Sequence, residues 1–128
     1  MHAINKDIIA NIIQKAREID IEEDLTLPED QDNLSDAEWK QALAEYQDDM
    51  SYIELKNLID DLEPDQQLRI IALMYIGRGD FDETEWLAAL EQARTIRIKR
   101  RADYLISKNM LANYLEEGLA KIGLSIEE

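Results

Sequence analysis

An all-α fold, a small irregular bundle of about six helices around one buried central helix at residues 65–76, is what this sequence predicts on three observations. Valine is absent and threonine occurs only at Thr26, Thr84 and Thr95, so isoleucine is the one plentiful β-branched residue, and it recurs at helical spacing. Residues 68–76 are apolar around most of a helix circumference, as a helix enclosed by neighbours must be. Helix-start signals also recur between the periodic segments: Ser35 with Glu38, Ser51 with Glu54, Pro64, and Asp82 with Glu85.

In the first helix, Ile8, Ile9, Ile12, Ile13, Ala16 and Ile19 share a stripe, Asn5 is its cap, and its end is expected near Asp20. Seven carboxylates and one proline then fall between Asp20 and Leu34 with no basic residue, so self-repulsion predicts a solvated, flexible acidic linker at 20–34 within a single domain spanning 1–128. The Ser35–Glu38 box opens a second helix, with Trp39, Leu43, Tyr46 and Met50 on one face. Ser51 and Glu54 are expected to open a third, short helix, with Leu55, Leu58, Ile59 and Leu62 inward. Pro64 suits the first turn of the fourth, where its missing N–H had no partner in any case. Leu68, Ile71, Ala72 and Tyr75 form one stripe of that helix, and Ile70, Leu73, Met74 and Ile76 cover most of the rest.

Gly77 follows the last apolar residue and is expected to close the fourth helix in a left-handed conformation, with Asp82 and Glu85 capping the next. The Gly77–Asp80 corner admits two readings. In one it is a turn, with Arg78 pairing with Asp80 or with a carbonyl of the fourth helix; in the other Arg78 and Asp80 touch a ligand or partner. Farther on, Trp86, Leu90 and Ala93 share a face, but Ile98, Ala102, Leu105 and Ile106 point the opposite way at 100° per residue. Either one helix is sandwiched between two neighbours or the chain breaks or bends between Thr95 and Lys99, and the break is the expectation. The last helix carries Leu111, Leu115, Gly118, Leu119 and Ile122, with Gly123 as its stop.

Length and composition limit the function. The chain has 128 residues, 45% of them hydrophobic, enough for one domain with a real core. It holds 29 acids against 14 basic residues, a formal charge of −15, so its average surface repels nucleic acid and anionic lipid. No apolar run reaches the roughly 20 residues of a membrane span, and the N-terminal residues do not read as a signal peptide. With no cysteine, a cytoplasmic, disulfide-free protein is expected.

Most catalytic constellations lack their residues. Without cysteine, and with His2 as the sole imidazole, triads and the usual zinc sites cannot be assembled, and residues 20–32 lack the glycine turn of a calcium loop. No cofactor fingerprint is present, since "GRG" has neither the later glycine nor a preceding strand. No metal site and no cofactor are expected, although the carboxylates of Asp60, Asp61, Glu63 and Asp65, or of Glu116 and Glu117, leave a divalent-cation enzyme as an alternative.

Charge distribution says more. Residues 18–65 hold 18 acids and only Lys40 and Lys56, whereas residues 94–108 hold Arg94, Arg97, Lys99, Arg100, Arg101 and Lys108 against Asp103. Either the basic segment packs beside the acidic linker or the second and third helices and relieves their repulsion, or it binds a partner. A protein-interaction or regulatory module is the first expectation. A nucleic-acid binder using 94–101 is the alternative, weakened by the single aromatic, Tyr104, beside that stretch. The candidate partner-binding residues are therefore Arg78, Asp80, Arg94, Arg97, Lys99, Arg100 and Arg101. A leftover apolar stripe on the first or second helix would suit a homodimer.

The strings "KAREID" at 15–20, "IALMYIGRGD" at 71–80 followed by Trp86, "RADYL" at 101–105 and "LANYLEEGLAKIGLS" at 111–125 resemble the bacterial family known as domain of unknown function 3775. The resemblance covers most of the chain outside the acidic segment. The family pattern often has tryptophan at the position of Tyr75, proline near Asn109 and aspartate at Asn113, so no carboxylate chemistry at position 113 carries over to this chain. The resemblance implies no activity.

Overall fold

The computed structural model describes residues 4–19, 35–44, 48–108 and 110–124. Among these, seven α-helices and no strand occur: α1 (Lys6–Arg17), α2 (Asp36–Leu43), α3 (Met50–Asp60), α4 (Pro64–Arg78), α5 (Trp86–Ala93), α6 (Arg101–Ile106) and α7 (Leu111–Lys121). Short 3-10 turns at Glu83–Glu85 and Ile98–Arg100 lead into α5 and α6. The expected acidic linker at 20–34 and Tyr46 lie outside the described residues.

α4 is the hub. Its residues Leu68 and Ile70 through Ile76 are all buried, because α7 packs along one side, α5 along another, and α6 touches it as well. α1 closes the bundle against α7 and α3, and α3 lies on α6. The all-round apolar pattern of residues 68–76 is thus matched by neighbours on several sides.

The expected stop at Gly77 is corrected. α4 runs on to Arg78, and Gly79, at φ 92°, takes the left-handed conformation. The Asp80 N–H reaches the Tyr75 carbonyl at 3.0 Å and the Gly79 N–H the Ile76 carbonyl at 3.2 Å, a Schellman closure. Phe81 then folds its ring back to 5.9 Å from that of Tyr75. Gly77 is small for another reason: a Cβ there would stand 1.7 Å from the Tyr114 carbonyl oxygen of α7. Gly118 reciprocates, since its Cβ would meet the Leu73 carbonyl oxygen at 2.4 Å. α4 and α7 therefore cross backbone on backbone. At the other end of α7, Gly123 (φ 86°) closes the helix as expected, with Leu124 N–H on the Leu119 carbonyl at 2.7 Å.

Other starts follow the sequence with one exception. Asn5 caps α1, Ser35 and Glu38 form the box on α2, and Asp82 and Glu85 form one on the turn before α5. The Ser51–Glu54 box is not formed. Asp49, two residues earlier, accepts from the N–H groups of Ser51 (2.9 Å) and Tyr52 (3.3 Å), and Glu54 instead pairs with Lys15 of α1 at 3.1 Å. A carboxylate is at least as good a cap as a hydroxyl, so the helix begins at the carboxylate. Met50 consequently starts α3 and is exposed, rather than extending the α2 face. α1 ends at Arg17, short of Asp20.

The break between α5 and α6 is present. Ala89 and Ala93 of α5 are buried, the chain turns through buried Ile96, and α6 then buries Ala102, Leu105 and Ile106. Side chains add to the turn's bonding: Thr95 Oγ1 donates at 2.7 Å to Gln92 O, which also accepts the Thr95 N–H, and Arg101 Nε donates to Ile96 O at 3.1 Å.

Candidate functional site

The break places residues 97–103 opposite α2 and α3, and the space between them is an open cleft of about 960 Å³. α2 contributes Asp36, Trp39, Lys40 and Leu43; α3 contributes Tyr52, Ile53 and Lys56; the third wall is Arg97 to Arg100 with Asp103. The capping box of α2 fixes the helix start that turns Trp39 and Leu43 inward and leaves Asp36 and Lys40 at the edge.

Asp103 lies at the bottom, 6% exposed, although a bare buried carboxylate would be costly. Three donors hold it. Trp39 Nε1 donates to Oδ2 at 2.9 Å, and the Tyr52 hydroxyl and Lys56 Nζ (3.0 Å) both donate to Oδ1. α2, α3 and α6 are tied together by this one side chain. Burial, and then the hydrogen bond to the Asp103 carboxylate, push the Tyr52 hydroxyl above the usual tyrosine range.

Above it, the Arg100 guanidinium covers the Trp39 ring at 4.8 Å and donates to Asp36 Oδ1 at 2.9 Å. That hydrogen bond and the charge behind it lower the Asp36 pKa, with Arg97 and Lys40 adding smaller attractions. Lys40, Arg97 and Lys99 are exposed around the rim, and Ile98 is 55% exposed between them. A smaller cavity of about 180 Å³, lined by Arg17, Leu55, Lys108 and Asn113 among others, lies where α1, α3 and the start of α7 meet.

The sequence-derived candidates do not converge on one place. Arg97, Lys99 and Arg100 line the cleft. Arg101 does not: its guanidinium is folded inward, 6% exposed, with its Nη1 3.3 Å from Gln67 Oε1 and 3.4 Å from the Pro64 carbonyl. Burial lowers its pKa. Arg94 pairs with Glu91 on its own helix at 2.6 Å. Arg78 donates through Nε to Asp80 Oδ2 at 2.7 Å and lies 5.7 Å over the Tyr75 ring, the pairing expected if the corner is a turn. Neither Arg78 nor Asp80 lines the cleft. Of the two accounts of the basic segment, the packing one is visible in part, in Arg100 bound to Asp36 of α2.

Trp39, Tyr52, Lys56 and Asp103 were not among the sequence candidates. The four come from three helices up to 64 residues apart, and only Asp103, a lone acid in a basic stretch, carried any signal. The suspected acidic corner is on the surface: Asp60, Asp61, Glu63 and Asp65 are exposed, and partial burial, with smaller repulsions from Asp103 and Asp61, raises the Asp60 pKa against the pull of Lys56. Among the described residues no three Asp, Glu or His side chains stand where they could share a metal ion, and no helix is long and apolar enough to cross a membrane.

Residues 52–124 match the model of a family described as "protein of unknown function (DUF3775)". The match takes in α3 from Tyr52 onward and α4 to α7, and hence Tyr52, Lys56 and the 97–103 wall of the cleft, while the α2 wall precedes it. No curated protein and no solved structure matches the chain.

Proposed function

Because the chain belongs to the DUF3775 family, whose description assigns no activity, its role is read from its own geometry, and we propose that it is a protein-interaction module whose partner enters the α2/α3/97–103 cleft. One observation carries this reading: on a chain of net charge −15, the cleft is lined by five basic and two acidic residues around an exposed isoleucine. A cationic, partly apolar concavity on an acidic body is a surface for a complementary partner.

Nucleic acid fits this surface less well. Arg101 is turned inward and Arg94 lies outside the cleft, so the basic stretch 94–101 does not form one continuous face for phosphates. The one aromatic ring broad enough to take a base, Trp39, is 5% exposed and lies under Arg100.

A photo-crosslinking residue in place of Lys99, set against one in place of Glu117 on α7, tests the reading. Capture of a defined protein from position 99, not from 117, and its loss in Ile98→Asp, is the expected result. Equal capture from both positions, or recovery of RNA or DNA in place of protein, would refute it.

A further inference from the structure

We propose that α2 is an exchangeable occupant of a helix-binding groove formed by α3, Ile98–Arg100 and α6. The groove takes the same motif from a partner protein: a helix with a tryptophan, an acid three residues before it and a leucine four residues after it. The inference concerns the groove beneath α2 and is independent of what enters the open cleft beside it.

The way α2 is held leads to it. The bundle rests on close pairings of α4 with α7 and α5, of α1 with α7 and α3, and of α3 with α6, and among the described residues α2 has no pairing of that extent. Asp36, Ala37, Glu38, Lys40 and Gln41 of α2 are exposed, whereas Trp39 and Leu43, one turn apart, are buried, at 5% and 3% exposure. A helix of eight residues is too short to hold itself in water, so the order of α2 comes from what those two side chains touch. Two apolar anchors at i and i+4, set in a groove, are how one protein takes up a helix of another.

The groove reads each part of the motif. The indole N–H of Trp39 meets Asp103 Oδ2 at 2.9 Å, a bond that phenylalanine or leucine cannot make. The Arg100 guanidinium covers the same ring at 4.8 Å and donates to Asp36 Oδ1 at 2.9 Å, so one side chain registers both the tryptophan and the acid a turn before it. Leu43 fills the space a turn beyond. The receptor half is complete without α2, since Asp103 keeps the Tyr52 hydroxyl and Lys56 Nζ as donors. Tyr52, Lys56, Arg100 and Asp103 also lie within the family-matched residues 52–124, whereas Trp39 precedes them. Receptor and ligand thus sit on one chain, and tethering gives α2 a high local concentration that an incoming helix has to overcome.

A fluorescein-labelled peptide with the sequence of residues 35–44, which keeps the capping box, tests this by anisotropy against the full chain and its Trp39→Ala variant. The variant, its own anchor gone, is expected to melt at a lower temperature but still cooperatively, and to bind the peptide at least about tenfold more tightly than the parent does. Placing Trp39→Ala or Leu43→Ala in the peptide should weaken that binding about tenfold or more. In the parent, excess unlabelled peptide should speed hydrogen exchange of the α2 amides while α4 and α7 stay protected. Equal binding by parent and variant, binding by neither, or binding indifferent to the peptide's tryptophan overturns the inference. So does a Trp39→Ala chain without a cooperative melt, because α2 would then belong to the core. A parent that sediments as a dimer and becomes monomeric in Trp39→Ala overturns it as well, because the occupant would be the α2 of a second copy.

Discussion

Gly77→Ala is expected to be the most damaging single methyl that can be added to this chain. A Cβ at residue 77 would stand 1.7 Å from the Tyr114 carbonyl oxygen, 2.6 Å from its carbon and 2.9 Å from the Gly118 nitrogen. All three are backbone atoms, so no rotamer change relieves them. Restoring even a 3.0 Å approach requires α4 and α7 to separate by about 1.3 Å, across the most extensive helix pairing in the fold. Overpacking a core commonly costs about 1–3 kcal/mol, and here the displaced partner is a whole helix. The gain from replacing glycine by alanine within a helix, about 1 kcal/mol, offsets only part of this. Taking the upper end of that range, a net loss of about 2 kcal/mol is expected, out of the 5–15 kcal/mol typical of a domain. For a chain of this length that corresponds to a fall in Tm of roughly 7 °C. Gly79→Ala is the control. Its φ is 92° but a Cβ there has open space, so only the left-handed penalty of about 1 kcal/mol applies, a few degrees of Tm. Thermal melting by circular dichroism separates the two. A Gly77→Ala variant melting within 2–3 °C (about 1 kcal/mol) of the parent, or below which Gly79→Ala melts, would show that the crossing is not backbone on backbone.

Further expectations follow from the cleft floor and the α5–α6 break. Asp103→Ala leaves the Trp39 indole N–H, the Tyr52 hydroxyl and Lys56 without their shared acceptor, and is expected to cost about 3 kcal/mol in urea unfolding. Asp103→Asn, which keeps one acceptor oxygen, should cost less; equal losses would contradict the donor count. Tyr52 loses its proton less readily folded than unfolded, so its contribution is complete below the unfolded value near 10 and is lost as pH rises beyond it. Stability followed by urea titration should fall above about pH 10, and Tyr52→Phe should flatten that limb; an unchanged slope would speak against the buried hydroxyl. Arg101→Ala should cost about 2–3 kcal/mol, because the Ile96 and Pro64 carbonyls and Gln67 lose a common donor. Arg101→Lys should recover less than half, since a point-like ammonium cannot span acceptors on two sides. Full rescue by lysine would mean that charge alone matters there.

The hub was legible because nine consecutive positions, 68–76, carry so little polarity that only enclosure suits them; Arg69 is the exception, and it is half-buried. The α5–α6 break was legible too, since two apolar faces out of phase cannot turn one straight helix toward a single core; only a helix sandwiched between two neighbours was the alternative. The glycine at 77 was misread because an apolar run ending in glycine looks the same whether the glycine closes the helix or admits a neighbouring backbone. The third helix start was misread because Asp49 and Ser51 both offer a cap and nothing local ranks them.

The sites divide the same way. Six basic residues between 94 and 108 read as one surface, but a helical turn sends neighbours in different directions: Lys99 outward, Arg100 onto Trp39, Arg101 toward α4. Asp103 read as a lone exception to that charge and is instead the point where three helices meet.

By itself the sequence determined the helical class, the central helix, most caps and the lack of any cysteine, because these depend on residue type and on spacing within about one turn. Only the tertiary structure decided which glycine closes α4, which arginines reach solvent and what surrounds Asp103. Those outcomes depend on atoms from helices dozens of residues apart, and local periodicity cannot encode such an approach.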